Sequence, residues 1–209
     1  MSVYMPTLRE MVDPKRAALL LIDLQAHVEH QKNYVLDIPR TIARTRRLIE
    51  HAKAAGVTCI YTRGVEFERT NTPVWISRHV TKPHRLGTRA DGSPGAEYHP
   101  EVAPAPGDIE FVKTRYSCFI DTPLEKILAE RKIDSLMLTG IATNVCVEVT
   151  ARDAFQRDIW TVMVSDCVAA RTPEEQARSL KDTERNWGVV VDSDAIIAEW
   201  AALRAPVSA

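Results

Sequence analysis

The sequence is notable first for what it has little of. It has only 4 cysteines in 209 residues, Cys59, Cys118, Cys146 and Cys167, and their spacing forms no CxxC pair and no zinc pattern. Free thiols in a reducing cytoplasm are the simplest reading. Net charge is nearly absent, with 27 Lys and Arg against 28 Asp and Glu, which argues against nucleic acid as a main partner. Long apolar runs are missing too. The longest strongly apolar stretch, Ala17–Ile22, is far too short for a membrane span, and Met1–Arg16 has no apolar core of a signal peptide. GxGxxG, Walker, GxSxG and HExxH motifs do not occur, so dinucleotide, P-loop, serine-hydrolase and zincin readings lack their signatures. No repeat or low-complexity tract is present. The remaining composition, 45% apolar and 26% charged, is that of a globular protein whose length predicts one domain over residues 1–209.

Short apolar runs alternate with helical patterns. Ala17–Ile22 reads as a strand buried on both faces. Ile38–Ala55 reads as an amphipathic helix, with Gly56 ending it. Val57–Tyr61 and Ile109–Val112 read as strands, and Thr122–Arg131 as a helix with Pro123 in its first turn. Ser135–Thr139, Trp160–Val164 and Val189–Val191 complete the strands. Asn144–Gln156, Pro173–Asn186 and Asp194–Leu203 complete the helices. This alternation predicts an α/β protein with a parallel sheet covered on both faces.

Residues 63–108 break the rhythm, holding 6 of the 12 prolines and 5 of the 8 glycines. A connection this long predicts a lid, a pocket wall or a subunit interface. Arg78, His79, Lys82, His84, Arg85 and Arg89 make it basic, either as an anion-attracting rim or as a solvated surface.

In open α/β sheets ligands bind at the carboxyl ends of the strands. Three reactive side chains fall there: Asp23 after the first strand, Lys113 after Ile109–Val112, and Cys146 after Ser135–Thr139. Gly140 permits a tight turn, and Thr143 or Asn144 caps the following helix. That places Cys146 in a first helical turn, where free N–H groups and the helix dipole lower a thiol pKa. Such a thiol is a nucleophile, but a buried structural cysteine fits the same spacing. Asp23 alone fits a turn former and Lys113 alone a solvated lysine. Together they supply a proton acceptor, a stabilising cation and a nucleophile. Cys59 and Cys167 read as core, and Cys118 is open. Six histidines (His27, His30, His51, His79, His84, His99) include one pair three apart, His27 and His30, with no third ligand in register.

Ala18–Gln25, Lys113–Phe119 and Thr139–Val147 resemble, in order, three signatures of the isochorismatase-like cysteine hydrolases. Pro106-Gly-Asp108 and Ala151–Phe155 agree, so the resemblance spans nearly the whole chain and leans toward ureidoacrylate, biuret and triuret hydrolases. It implies a three-layer α/β/α fold with a six-stranded parallel sheet and an Asp23–Lys113–Cys146 triad. It also implies a cis peptide between Ile141 and Ala142, and an oxyanion hole from the N–H groups of Ala142 and Cys146. The expected reaction is C–N hydrolysis of a small linear amide or ureide through a thioester, releasing ammonia or an amine, in a homodimer or homotetramer. The nicotinamidase branch carries an Asp-x-His metal motif where this chain reads Thr62-Arg63-Gly64-Val65-Glu66, so neither metal nor cofactor is expected. Arg63, Trp75 and Tyr116 are candidate substrate contacts. The rival readings are a vinyl-ether hydrolase, whose branch lacks the cysteine, and a non-catalytic flavodoxin-like binding module.

Overall fold

A computed structural model describes residues 4–31, 37–80 and 87–204. Six strands, β1 (Ala17–Ile22), β2 (Thr58–Gly64), β3 (Ile109–Lys113), β4 (Ser135–Ile141), β5 (Trp160–Ala169) and β6 (Val189–Val191), form one sheet in the order β3-β2-β1-β4-β5-β6. Every pairing is parallel. Helices α1 (Leu8–Met11), α2 (Ile38–Ala55) and α7 (Ser193–Arg204) cover one face. Helices α4 (Leu124–Arg131), α5 (Glu148–Phe155) and α6 (Pro173–Asn186) cover the other. The result is the expected three-layer α/β/α arrangement.

The sequence explains this layering. All six residues of β1 are buried because the strand is central and both its faces meet helices. Ala18, Leu20 and Ile22 enter the α4–α6 core, while Ala17, Leu19 and Leu21 enter the other. Each buried leucine contributes about 1.5–3 kcal/mol. Helix α2 ends at Gly56, whose φ of 81° is the left-handed geometry expected of a terminating glycine.

Three expectations need correction. Pro123 precedes α4 at its cap rather than starting it, since the helix begins at Leu124. Strands β4 and β5 run on to Ile141 and Ala169, past the apolar runs that marked them, across a register shift between Leu138 and Gly140. The helix drawn from Asn144 is in fact a π-turn, Thr143–Val147, followed by α5; neither Thr143 nor Asn144 caps it. Thr143 instead donates its hydroxyl to Gln176 Oε1 at 2.7 Å.

The described part of the long connection is held by turns and side-chain hydrogen bonds. It carries α3 (Pro73–Ser77) and short 3-10 turns, and it is tied down by Gln25. That buried amide donates to the carbonyls of Gly64 and Ala96 and accepts the N–H of Gly64 at 2.9 Å. Among the described residues no helix is long and apolar enough to cross a membrane.

Candidate active site

The strand order reverses between β1 and β4, and the crevice above their carboxyl ends is where this topology places ligands. Asp23 leaves β1 with φ at 54°, in the left-handed region that aspartate tolerates better than most residues. Lys113 ends β3, two strands away, so its side chain must cross roughly 10 Å of sheet. It passes the end of β2 at Gly64, its register partner, where no side chain stands in the way. Lys113 Nζ then meets Asp23 Oδ2 at 2.7 Å and the Arg115 carbonyl at 3.1 Å. Both charged groups are buried, at 2% and 1% exposure.

Cys146 approaches from β4. Gly140, at φ 124°, lets that strand end press against β1: a Cβ there would lie 2.0 Å from the Ile22 carbonyl oxygen. The turn that follows contains the cis Ile141–Ala142 bond and then Cys146. Buried Thr150 braces it, donating to the Cys146 carbonyl at 2.7 Å while accepting the Cys118 N–H at 3.1 Å. Gln176 braces the other end through Thr143 and the Ala170 N–H. Thr150 and Gln176 had no signal in the sequence, because a polar residue on a helix declares its partner only once the chain has folded; Gln25 stands in the first signature, but its bracing contacts were not readable there.

The ionisation states follow from burial and charge. Burial raises the pKa of Asp23, but Lys113 first and Arg89 next outweigh it and hold the carboxyl below the usual carboxylate range. Burial disfavours the Lys113 ammonium, yet Asp23 and then Cys146 keep its pKa above the ordinary lysine value. Burial, and then the negative charge of Asp23, push the Cys146 thiol up to about 12 against the opposing pull of Lys113 and Arg89. This corrects the expected lowering. The thiol is not in the first turn of an α-helix, and its dominant surroundings are hydrocarbon and a carboxylate. At rest the site therefore holds a neutral thiol, a carboxylate and an ammonium. Thiol and carboxylate are close enough to shift each other's ionisation. The contact is not an aligned hydrogen bond, however, for Asp23 Oδ1 has no partner in hydrogen-bonding geometry. Such contacts commonly tighten only when substrate is bound.

A cavity of about 150 Å³ opens above Asp23, Ala142 and Cys146. The long connection supplies one wall through Glu66, Arg78, His79 and Arg89; Tyr116 and Arg171 line it as well. Lys82, His84 and Arg85, also read as part of a basic rim, lie outside the described residues. Glu66 is the hub of this wall: Arg78 pairs with it at 2.8 Å, His79 at 3.5 Å and Arg89 at 3.8 Å. Of the three candidate substrate contacts, only Tyr116 lines the cavity. Trp75 stands behind it, ring centroids 4.8 Å apart, with the Arg78 and Arg115 guanidinium groups over its indole. Arg63 lies elsewhere, paired with Glu97 at 3.1 Å and set over the Tyr98 ring. Cys118 is fully buried near Lys113, its thiol pushed up to about 11 chiefly by burial. Among the described residues no group of three or more His, Cys, Asp and Glu side chains is arranged to hold a metal ion.

Fold and site together define a doubly wound α/β protein with a buried Asp–Lys pair and a cysteine at its switch point. The profile of the isochorismatase domain matches residues 17–195, and the chain belongs to the isochorismatase family. Relatives include the ureidoacrylate amidohydrolase RutB of Stutzerimonas stutzeri, 34% identical over 88% of this chain and 83% of that protein. The protein of the same name from Methylobacterium radiotolerans is 32% identical over 87% and 78%. A cysteine hydrolase from Pseudomonas syringae pv. phaseolicola superposes with a TM-score of 0.84 at 25% identity, covering 97% of this chain and 99% of its own. The N-carbamoylsarcosine amidase of Thermoplasma acidophilum does so at 0.70 and 27% identity, covering 86% and 97%.

Proposed function

We propose that residues 1–209 form a single-domain cysteine amidohydrolase that cleaves a C–N bond of a small linear amide or ureide, with residues 63–108 covering its site. The observation that carries this reading is the buried Lys113–Asp23 pair, 2.7 Å apart, with Asp23 and Cys146 lining one small cavity. Relatives named ureidoacrylate amidohydrolase and N-carbamoylsarcosine amidase support the bond type.

The chemistry follows from the resting charges. Asp23 takes the proton of the Cys146 thiol as substrate displaces water, and Lys113 offsets the negative charge as it moves from oxygen to sulfur. The thiolate sulfur attacks the carbonyl carbon and the C=O pair moves onto oxygen. The oxyanion settles against the N–H groups of Ala142 and Cys146, where each preorganised donor is worth roughly 10²–10³ in turnover. The C–N bond breaks as protonated Asp23 gives its proton to the leaving nitrogen, releasing ammonia or an amine and leaving a thioester. Water then adds to the thioester carbonyl, losing its proton to Asp23. The C–S bond breaks, the acid product leaves, and the sulfur recovers a proton from Asp23.

An ammonia-release screen over ureidoacrylate, N-carbamoylsarcosine, biuret, maleamate and nicotinamide tests this reading, with wild type and Cys146→Ser side by side. Ureido or carbamoyl compounds should yield ammonia with wild type only. Activity surviving in Cys146→Ser would refute the nucleophile, and a response to nicotinamide alone would refute the substrate class.

A further inference from the structure

The cavity wall contains a positive charge that helps keep Asp23 ionised but takes part in no step of the triad chemistry. Lys113 is matched by Asp23 at 2.7 Å and Arg78 by Glu66 at 2.8 Å. Arg89 reaches the same two carboxylates only at 3.8 Å each, beyond hydrogen-bonding distance, and both already hold a nearer cation. Setting Arg171 aside, the site places three cations against two carboxylates, and the surplus charge falls on Arg89. Its side chain is 19% exposed and lines the cavity. The backbone makes room for it: a Cβ on Gly64 would lie 2.5 Å from Arg89 Nη1.

A guanidinium with open donors beside a nucleophile is suited to a planar anion, which it can grip through two parallel hydrogen bonds. We propose that Arg89 recognises an anionic group on the substrate, so that the preferred substrates are compact carboxylate-bearing ureides or amides whose carboxylate lies a few bonds from the scissile carbonyl. The location of Arg89 between Asp23 and Glu66, within one cavity of about 150 Å³, sets that short span. The bond broken rests on the amidohydrolase reading above; the binding of the anion does not.

The test compares N-carbamoyl-β-alanine, an anion, with its neutral amide, N-carbamoyl-β-alaninamide. In turnover, wild type should favour the anion, and Arg89→Met should lower the anion-to-neutral ratio of kcat/KM about 100-fold. Arg89→Lys should restore part of the ratio, which a purely structural role would not do. In binding, calorimetry on Cys146→Ala should show the anion tighter than the amide by tenfold or more, and adding Arg89→Met should erase the difference. No anion preference in binding, or a preference that survives Arg89→Met, overturns the proposal; so does failure of both probes to bind. Arg89-dependent anion binding without hydrolysis of any compound in the screen would instead condemn the amidohydrolase reading and leave Arg89 in place.

Discussion

Two ion clusters face one cavity and are built in opposite ways. The Asp23–Lys113 pair stands on the ends of two strands, is almost wholly enclosed, and has its partner fixed by sheet register. The Glu66 cluster stands on the long connection, draws Arg78 and His79 from the turn after α3 and Arg89 from a later turn, and leaves Arg89 partly exposed. On the proposed roles, chemistry that needs sub-ångström placement would sit on the strand ends, and recognition on the long connection.

The strongest attempt to break this contrast is Asp23→Asn. It should lower turnover about 10²–10⁴-fold, as loss of the proton acceptor requires. It also leaves Lys113 buried without a counter-charge, which costs about 3–5 kcal/mol in urea unfolding. The matching change in the other cluster, Glu66→Gln, should cost only about 1–2 kcal/mol, because Arg78 keeps its hydrogen bond and its seat on Trp75. Equal stability losses would erase the distinction.

Gly140→Ala tests the strand-end geometry without touching a charge. The added methyl overlaps the Ile22 carbonyl, so it should cost about 1–3 kcal/mol and reduce kcat by separating Cys146 from Asp23.

The pH dependence sharpens the comparison further. A carboxyl held low, like Asp23, stabilises the fold at neutral pH, and that contribution is lost as pH falls through its depressed pKa. A thiol raised to about 12, like Cys146, stabilises below its unfolded pKa, and that contribution is lost as pH rises toward 12. Cys146→Ala should therefore flatten part of the alkaline limb of a stability–pH profile and change the acid limb much less, because Lys113 and Arg89 outrank the thiol in holding Asp23 low. The smallest effect belongs to Arg63→Ala. Its partner is the exposed Glu97 outside the cavity, so stability should move by no more than about 0.5 kcal/mol and KM by less than about twofold.

The same contrast governs what was legible in the sequence. Ala17–Ile22, Ile38–Ala55 and Pro173–Asn186 were readable to the residue, since burial period and caps are local properties. Asp23, Lys113 and Cys146 were readable as neighbours because strand ends converge by topology. The ionisation of Cys146 was not, because it depends on how deeply the turn is buried and on which side Asp23 approaches. Arg63 and Trp75 were misplaced because side-chain direction at a strand end and in a loop is set by packing: Tyr98 draws Arg63 to the far face, and Tyr116 screens Trp75 from the cavity. Of the basic run, Arg78, His79 and Arg89 reach the site, and Glu66, which organises them, gave no sign of it in sequence.

The most direct measurement is intact-protein mass spectrometry of an acid-quenched reaction with the ureide or amide that the screen identifies. The account predicts a mass increase of one acyl group, placed by proteolysis on the peptide containing Cys146, formed within one turnover and absent in Cys146→Ser and Asp23→Asn. Steady turnover with no adduct at any quench time, and continued turnover in Cys146→Ser, would contradict it.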